Sequence, residues 1–236
     1  MLKVNNLTVQ AGEKKIIKGL NFELPKNTVA TIFGPNGSGK STFFGTLVGL
    51  GQYKITKGEI LFQGKKINKL SIDQRNQLGI SVMFQRPPSI KGVDLESVAF
   101  EVNENYSQIL KQAEKVNVEN FLEREINQNL SGGEIKRSEL FQMSLDEKAQ
   151  LYLFDEPDSG VDLENLERIG RLINKLVHQR GKSALIITHT GHILDHVKSN
   201  LGYVMIDGQI QCSEKPKRIL ERIKKDGYSQ CFGCNK

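Results

Sequence analysis

The chain has 236 residues, enough for one large domain or two small ones with a sizeable core. Its 38% hydrophobic and 25% charged content is that of a soluble protein, and no apolar run approaches the roughly 18 residues a bilayer crossing needs. Thirty-three basic against 27 acidic residues give +6, which suits a polyanionic nucleotide. The basic residues read as scattered, with a mild excess over KPKRILERIKK (215–225) that alternates like a solvated helix face. Nucleic acid binding and direct membrane insertion are therefore not expected. The first residues, MLKVNNLTVQ, alternate and lack the apolar core of a signal peptide, so a cytoplasmic location is expected.

In chain order, LKVNNLTV (2–9), IIKGLNFEL (16–24), TVATIF (28–33) and EILFQ (59–63) read as strands between turn residues. KSTFFGTLVGL (40–50) reads as a helix and ISVMF (80–84) as a further strand. Residues 95–126 hold no strand pattern, and 107–122 have a helical period. A helical subdomain of about 86–130 is thus expected within one domain, its nucleotide-binding core formed by 1–85 and 131–236. A helix from about Gly132, the apolar strand 151–154 and a helix from about Glu164 follow. The last carries Leu166, Ile169, Leu172, Ile173, Leu176 and Val177 on one stripe. Strand 184–188 comes next, then a helix holding His192 and His196, both expected to be structural. YVMIDGQIQC (203–212) reads as a hairpin turning at Asp207-Gly208. Strands alternating with helices imply an α/β fold with parallel pairing.

GPNGSGKST (34–42) follows a strand and opens a helix, the context that supports a phosphate-binding loop. Gly34, Gly37 and Gly39 let the backbone close round an anion, because a Cβ would block the approach or the dihedrals. Pro35, Asn36 and Ser38 complete the loop. Its N–H groups, with those of the first helical turn through Thr42, point at phosphate along the positive end of the helix dipole. Lys40 is placed to bridge the β- and γ-phosphates, and Ser41 to ligate Mg²⁺.

FDEPDSGVD (154–162) sets two acids at the carboxyl end of an apolar strand, where open α/β sheets bind ligands. Asp155 is the expected Mg²⁺ ligand, and Glu156 the group that orients or deprotonates the attacking water. His189 ends the next apolar strand at the same edge and is a candidate contact to the γ-phosphate. Gln85 ends strand 80–84 and is expected to reach Mg²⁺ or the water. In LSGGEIKR (130–137), Ser131, Gly132 and Gly133 open a second helix suited to an anion. Two phosphate cradles in one chain suggest two copies closing on shared nucleotide.

GPNGSGKST, Gln85, LSGGE, YLFDEP, DSGVD and His189 resemble, in order, the Walker A, Q-loop, signature, Walker B, D-loop and H-loop of the ATP-binding cassette (ABC) ATPases. The resemblance covers essentially the whole chain. It implies a P-loop NTPase with a RecA-like core, an antiparallel β subdomain and a helical subdomain, hydrolysing ATP with Mg²⁺. It also implies a transient ATP-dependent homodimer in which Ser131, Gly132, Gly133 and Glu134 of one copy act on the ATP held by Lys40 of the other, with Asp158 and Asp162 in the D-loop. The family usually stacks adenine on an aromatic residue after the first strand. Residues 7–15 contain none, leaving an aliphatic contact such as Val9.

Transport motors of this family more often carry a Ser-Ala-Leu-Asp type loop after Walker B. DEPDSGVD, with SGGEIKRSELFQM (131–143) and LIITHTGHILDHVK (185–198), is instead similar to the SufC ATPases of the SUF iron–sulfur cluster assembly system. That resemblance implies SufB/SufD-like scaffold partners docking on the helical lobe. The alternative is the nucleotide-binding subunit of an ABC transporter. A repair- or translation-type ABC ATPase would need a second cassette or a long coiled-coil insertion, and 86–129 is too short for one. Departures from the SufC pattern are the short insert, Val161 where Leu is usual, and the tail CFGC (231–234). Cys231 and Cys234 have the spacing of metal and redox pairs, but one pair supplies only two ligands, so unremarkable tail thiols are expected.

Overall fold

The computed structural model describes residues 1–178 and 181–228, so Cys231 and Cys234 lie outside the described residues. The elements run β1 (Leu2–Ala11), β2 (Lys14–Leu24), β3 (Val29–Phe33), α1 (Lys40–Val48), β4 (Tyr53–Phe62), β5 (Lys65–Lys66), α2 (Ile72–Gln77) and β6 (Ile80–Met83). They continue with α3 (Leu95–Val102), α4 (Tyr106–Val116), α5 (Gly132–Leu145), β7 (Leu151–Asp155), α6 (Leu163–His178), β8 (Ser183–Ile187), β9 (Leu201–Ile206), β10 (Gln209–Glu214) and α7 (Pro216–Asp226).

Two kinds of strand sort into two sheets. β2, and β1 apart from its buried run Leu7–Val9, alternate buried and more exposed residues, and they join β4 and β5 in an antiparallel sheet ordered β2-β1-β4-β5. The apolar runs of β3, β7 and β8 are covered on both faces, as parallel strands under helices must be. They form the middle of a six-stranded sheet ordered β10-β9-β3-β8-β7-β6, parallel throughout except for the edge strand β10. Each face of this sheet has its own core. On one, α1 and the antiparallel sheet bury Leu7, Val9, Ile17, Phe43 and Leu47 against Ile32, Leu153 and Leu185. On the other, α5 and α6 bring Phe141, Ile169 and Ile173 against Phe33, Tyr152 and Phe154.

The expected strands, the expected helical segment after residue 94 and the hairpin at Asp207-Gly208 are present. β4 starts at Tyr53, six residues earlier than expected, and α2 was not foreseen. A capping box starts α2: Ser71 accepts from the Gln74 amide while the Gln74 side chain accepts from Ser71 N–H. The helix expected over 107–122 stops at Asn117, which takes a left-handed φ of 55°, and a 3-10 turn follows at Glu119–Phe121. His192 and His196 lie in and just after a short 3-10 turn rather than a helix, because Gly191 and the Thr188 side chain set a tight bend there.

Arg75, on α2, is buried, and every hydrogen bond of its guanidinium goes to a main-chain carbonyl. Two acceptors, Thr46 O at 2.6 Å and Leu47 O at 2.7 Å, belong to the last turn of α1, whose carbonyls have no partner inside the helix. The others, on Ile67, Asn68 and Leu70, lie in the connection after β5. Burial lowers the guanidinium pKa to about 10, but the group stays charged and sits at the negative end of the α1 dipole. Arg75 therefore pins the helix that starts at the phosphate loop to the element that leads into β6. Arg75→Ala strands these buried carbonyls and is expected to cost about 3 kcal/mol, lowering Tm by roughly 6–12 °C in a chain of this size. Calorimetry checks this; a change within about 1 °C would show that the carbonyls find water instead.

Candidate active site

The carboxyl ends of four neighbouring parallel strands carry the site. After β3 the chain folds into the loop 34–39, with Gly37 at φ 79° and Gly39 at φ 102°, conformations that favour glycine. A Cβ on Gly34 would stand 2.4 Å from Met205 O, so the loop is pressed against β9. The β9–β10 hairpin braces it further, with Gly208 N–H donating to Ser38 O at 2.9 Å. A Cβ on Gly208 would lie 1.8 Å from Ile16 O, so the hairpin glycine is also required by the antiparallel sheet. Sequence reading saw the hairpin but not this brace.

Lys40 Nζ donates to Gly34 O at 2.7 Å and to Pro35 O at 2.9 Å, which holds the ammonium inside the arc of the loop. Burial lowers its pKa, against the opposing pull of Glu156 and Asp155. Ser38 Oγ is buried without a hydrogen-bond partner. A loop of N–H groups at a helix N-terminus, lined by an ammonium and an unsatisfied hydroxyl, fits a polyphosphate.

β7 delivers the acids. Burial, and then the charge of Glu156, lift the Asp155 carboxyl to about 6, with Lys136 and Lys40 opposing. A carboxylate short of positive charge fits a cation. Among the described residues no group of three or more His, Cys, Asp or Glu could hold a metal by itself. A Mg²⁺ would therefore be shared between Asp155, a hydroxyl such as that of Ser41, and nucleotide oxygens, as this metal is usually bound.

Glu156 adopts a left-handed φ of 46°, unusual for a glutamate, and its N–H donates to Ile187 O on β8 at 2.8 Å. Its carboxylate collects two of the expected partners. Gln85 Nε2 donates to Oε2 at 2.6 Å, and His189 Nδ1 stands 3.2 Å from Oε1. Gln85, Glu156 and His189 are thus brought together across three strand ends. Asp158 accepts from Thr188 Oγ at 2.8 Å and Thr190 Oγ at 2.5 Å, tying the loop after β7 to the residues on either side of His189. Neither threonine was singled out in the sequence; their flanking of His189 is the only signal there.

The signature residues are placed elsewhere. Ser131 caps α5: its Oγ accepts from Glu134 N–H at 3.3 Å, and Glu134 Oε2 accepts from Ser131 N–H at 2.8 Å. Gly132 lies against Gly160, where a Cβ would meet the carbonyl at 2.3 Å. Asp162 accepts from Asn165 N–H at 2.9 Å and from its side chain at 2.7 Å, at the start of α6. Among the described residues, 131–134 make no hydrogen bond to the phosphate loop.

Further along α5, Lys136 Nζ donates to Phe84 O at 2.5 Å and Gln85 O at 3.1 Å, and pairs with Glu139 at 3.4 Å. Glu139 in turn accepts from Phe84 N–H at 2.8 Å. This buried pair, which sequence reading missed, grips the main chain of the loop bearing Gln85. Burial lifts the Glu139 carboxyl to about 7, with Lys136 and the Phe84 amide pulling the other way. One expectation is corrected: Val9 is fully buried in the core and cannot meet a base, whereas the half-buried Ile16 lies beside Gly39.

Comparison with known proteins agrees with this architecture. The family model described as ABC transporter matches residues 17–159, and the chain belongs to that family. A Streptococcus pyogenes protein named "Probable ABC transporter ATP-binding protein" is 36% identical over 97% of this chain and 94% of its own length. "ABC transporter I family member 6, chloroplastic" of Arabidopsis thaliana is 33% identical over 99% of this chain and 73% of its own. An ATP-binding cassette solved as a dimer in a post-hydrolysis state with ADP and Pi is 27% identical, with a TM-score of 0.77 over 92% of this chain and 99% of that one. The chain is an ATP-binding cassette and an ATP hydrolase.

Asp155 and Glu139 ionise at higher pH in the fold than in the unfolded chain, so between about pH 4 and 7 the native state binds more protons. Their contribution to stability is therefore greatest at low pH and falls as pH rises. The carboxylates held low, such as Asp94 and Asp162, act only below this window. Melting of the metal-free chain is expected to give a higher Tm at about pH 5 than at about pH 7.5, and Glu139→Gln is expected to flatten the difference. A Tm that climbs over that range would show that burial does not raise these carboxyls.

Proposed function

We propose that this ATPase is the motor subunit of an iron–sulfur cluster assembly complex, a SufC-type cassette docked on SufB/SufD-like scaffold proteins and working as a transient homodimer. Asp158 carries the reading. It opens DSGVD, the loop whose similarity to the SufC type contrasts with the Ser-Ala-Leu-Asp type loop of transport motors, and it is engaged by Thr188 and Thr190.

In this reading the nine residues 34–42 hold ATP, with Lys40 on its β- and γ-phosphates. Asp155, Ser41 and Gln85 hold Mg²⁺, which supplies charge neutralisation on the phosphate oxygens. Glu156 positions and deprotonates the water, and His189 contacts the γ-phosphate. Ser131, Gly132, Gly133 and Glu134 cap the ATP of the second copy, with Asp158 and Asp162 in the loop that faces it. Ile16 takes the place of the missing aromatic beside adenine.

The scaffold docks in a groove of about 1010 Å³ between α2 and residues 84–90 on one side and α3 on the other, where the subdomain spanning about 86–130 meets the core. Its apolar lining includes Ile72, Ile90 and Val102, exposed by 42%, 46% and 41%, enough to reward a covering partner. The transporter reading is retained because the relatives are named as transporter proteins, and the same groove would then receive a membrane subunit.

Glu156→Gln preserves shape and is expected to keep nucleotide affinity while lowering hydrolysis by ~10²-fold or more. With ATP and Mg²⁺ this variant is expected to shift from monomer to dimer on size exclusion, and a second change, Ser131→Arg, to abolish the shift. The same dimer without nucleotide, or in the double variant, would refute the two-copy arrangement. Purification from the native cell separates the two readings of the partner. Co-purifying proteins without membrane spans support the scaffold, and a stoichiometric polytopic membrane protein would promote the transporter.

A further inference from the structure

Once the sheets are known, the positive charge proves to be segregated rather than scattered. Residues 1–69 hold eleven lysines, no arginine and three acids, a net +8, while the remaining 167 residues hold 22 basic and 24 acidic residues, a net −2. Ten of the eleven lysines are exposed; Lys40 of the phosphate loop is the exception. The charge of the whole chain therefore resides on the antiparallel sheet and its connections.

Strand register arranges part of this charge as a plate. On β1, Leu7 and Val9 face the core, so Thr8 and Gln10 belong to the outer face. Thr8 pairs with Lys18 on one side and Lys57 on the other, and Gln10 with Lys15 and Lys54. Irregularities in both pairings keep the lysines in step: Ile16 and Thr56 are the residues skipped. Four exposed ammoniums thus flank two uncharged residues at one end of the sheet, about 10 Å apart across β1 and along the strands. The three acids of this region lie outside those rows. Glu59 is opposite Asn5 and paired with Lys66, Glu23 is opposite Lys3, and Glu13 is in the β1–β2 turn. Like charges gathered on one face of a sheet repel one another, and no ion pair within the described residues offsets these four.

We propose that this face is a docking surface for an anionic lipid bilayer surface. The charge is complementary, and the plate offers no apolar anchor of the kind that dominates protein interfaces, since its other residues are Thr8, Gln10 and Thr56. It also lacks arginine forks and exposed aromatic rings, the groups that read nucleic acid bases or stack on them. A row of point charges on a nearly flat sheet matches a plane of headgroups, which a juxtamembrane lysine cluster binds by summed attraction. The contact is peripheral and leaves nothing inserted. It is independent of which partner fills the groove by α3.

Co-sedimentation of the full chain with vesicles tests the proposal. Binding is expected to vesicles containing about one-third phosphatidylserine and not to pure phosphatidylcholine, and to fall roughly tenfold or more when salt rises from ~50 mM to ~500 mM. K15Q/K18Q/K54Q/K57Q is expected to lower partitioning by about a hundredfold or more, with ATPase activity unchanged and Tm not lowered. Charge-removing changes away from this face, K217Q/K224Q/K225Q on α7, serve as the control and are expected to lower it less than threefold. Equal binding to neutral vesicles, equal loss in the α7 variant, or no binding to anionic vesicles at low salt would each overturn it. So would retention by duplex DNA or heparin without vesicle binding, which would assign the face to a polyanionic chain.

Discussion

Glu156 stands at the end of an apolar strand with a positive φ, its N–H tied to Ile187 O and its carboxylate shared between Gln85 and His189. The left-handed backbone swings the side chain out of the strand's alternation, so that Asp155 and Glu156 present adjacent carboxyls to the same cleft. Burial under the sheet edge, and then the neighbouring charge of Glu156, raise the cost of ionising Asp155 and lift its carboxyl to about 6. Strain of this kind persists only where the surroundings over-determine it. Here β6, β7 and β8 each contribute a strand end to the determination, which is why the parallel order of those strands matters more to the chemistry than any single loop.

The same constraint explains the polar residues buried around the site. Asp158 fixes Thr188 and Thr190 on both sides of His189, so the imidazole is carried by a loop anchored at three points. Lys136 and Glu139 hold both the N–H and the C=O of Phe84 and the C=O of Gln85. Arg75 does the comparable task at the far end of α1. These are charged groups satisfied mostly by main chain. Main-chain acceptors fix a backbone position, whereas an ion pair between two side chains fixes only the side chains.

How far the sequence reveals this depends on whether the signal is local. Apolar runs such as LYLFD and VATIF, the glycines of 34–39 and the acids after Phe154 are contiguous, and they predict β7, β3, the phosphate loop and the placement of Glu156. α2 escapes because IDQRNQ is short and polar and buries only Arg75, a residue type that normally marks a surface. Asn117 escapes because nothing in SQILKQAEKVNVENFL interrupts the helical period, and the αL tolerance of asparagine decides the stop. Val9 is misjudged because its position after the first strand suggests the ligand, while the irregular pairing of β1 with β2 and β4 turns Ile16 toward Gly39. The lysine plate is invisible along the chain, since its rows exist only once Thr8 and Gln10 have partners on both sides.

On the proposed reading, α5 is the element through which one nucleotide senses the other. Its first turn holds the Ser131 hydroxyl for the partner's phosphate and lies against Gly160 of the loop after β7. Lys136 and Glu139, five and eight positions further on, hold the loop that carries Gln85. A helix of this length is stiff compared with the loops at either end, so a displacement at Ser131 must appear at Phe84 and Gln85 unless the buried ion pair breaks. Breaking it would leave two desolvated charges without partners, a cost of several kcal/mol. The cheaper response is for the helix and the loop to move together. Phe84, Pro87, Pro88 and Ile90 of that loop line the groove beside α3. Closure on ATP therefore reshapes the groove itself, and a partner seated there receives the work whether it is a scaffold subunit or a membrane one.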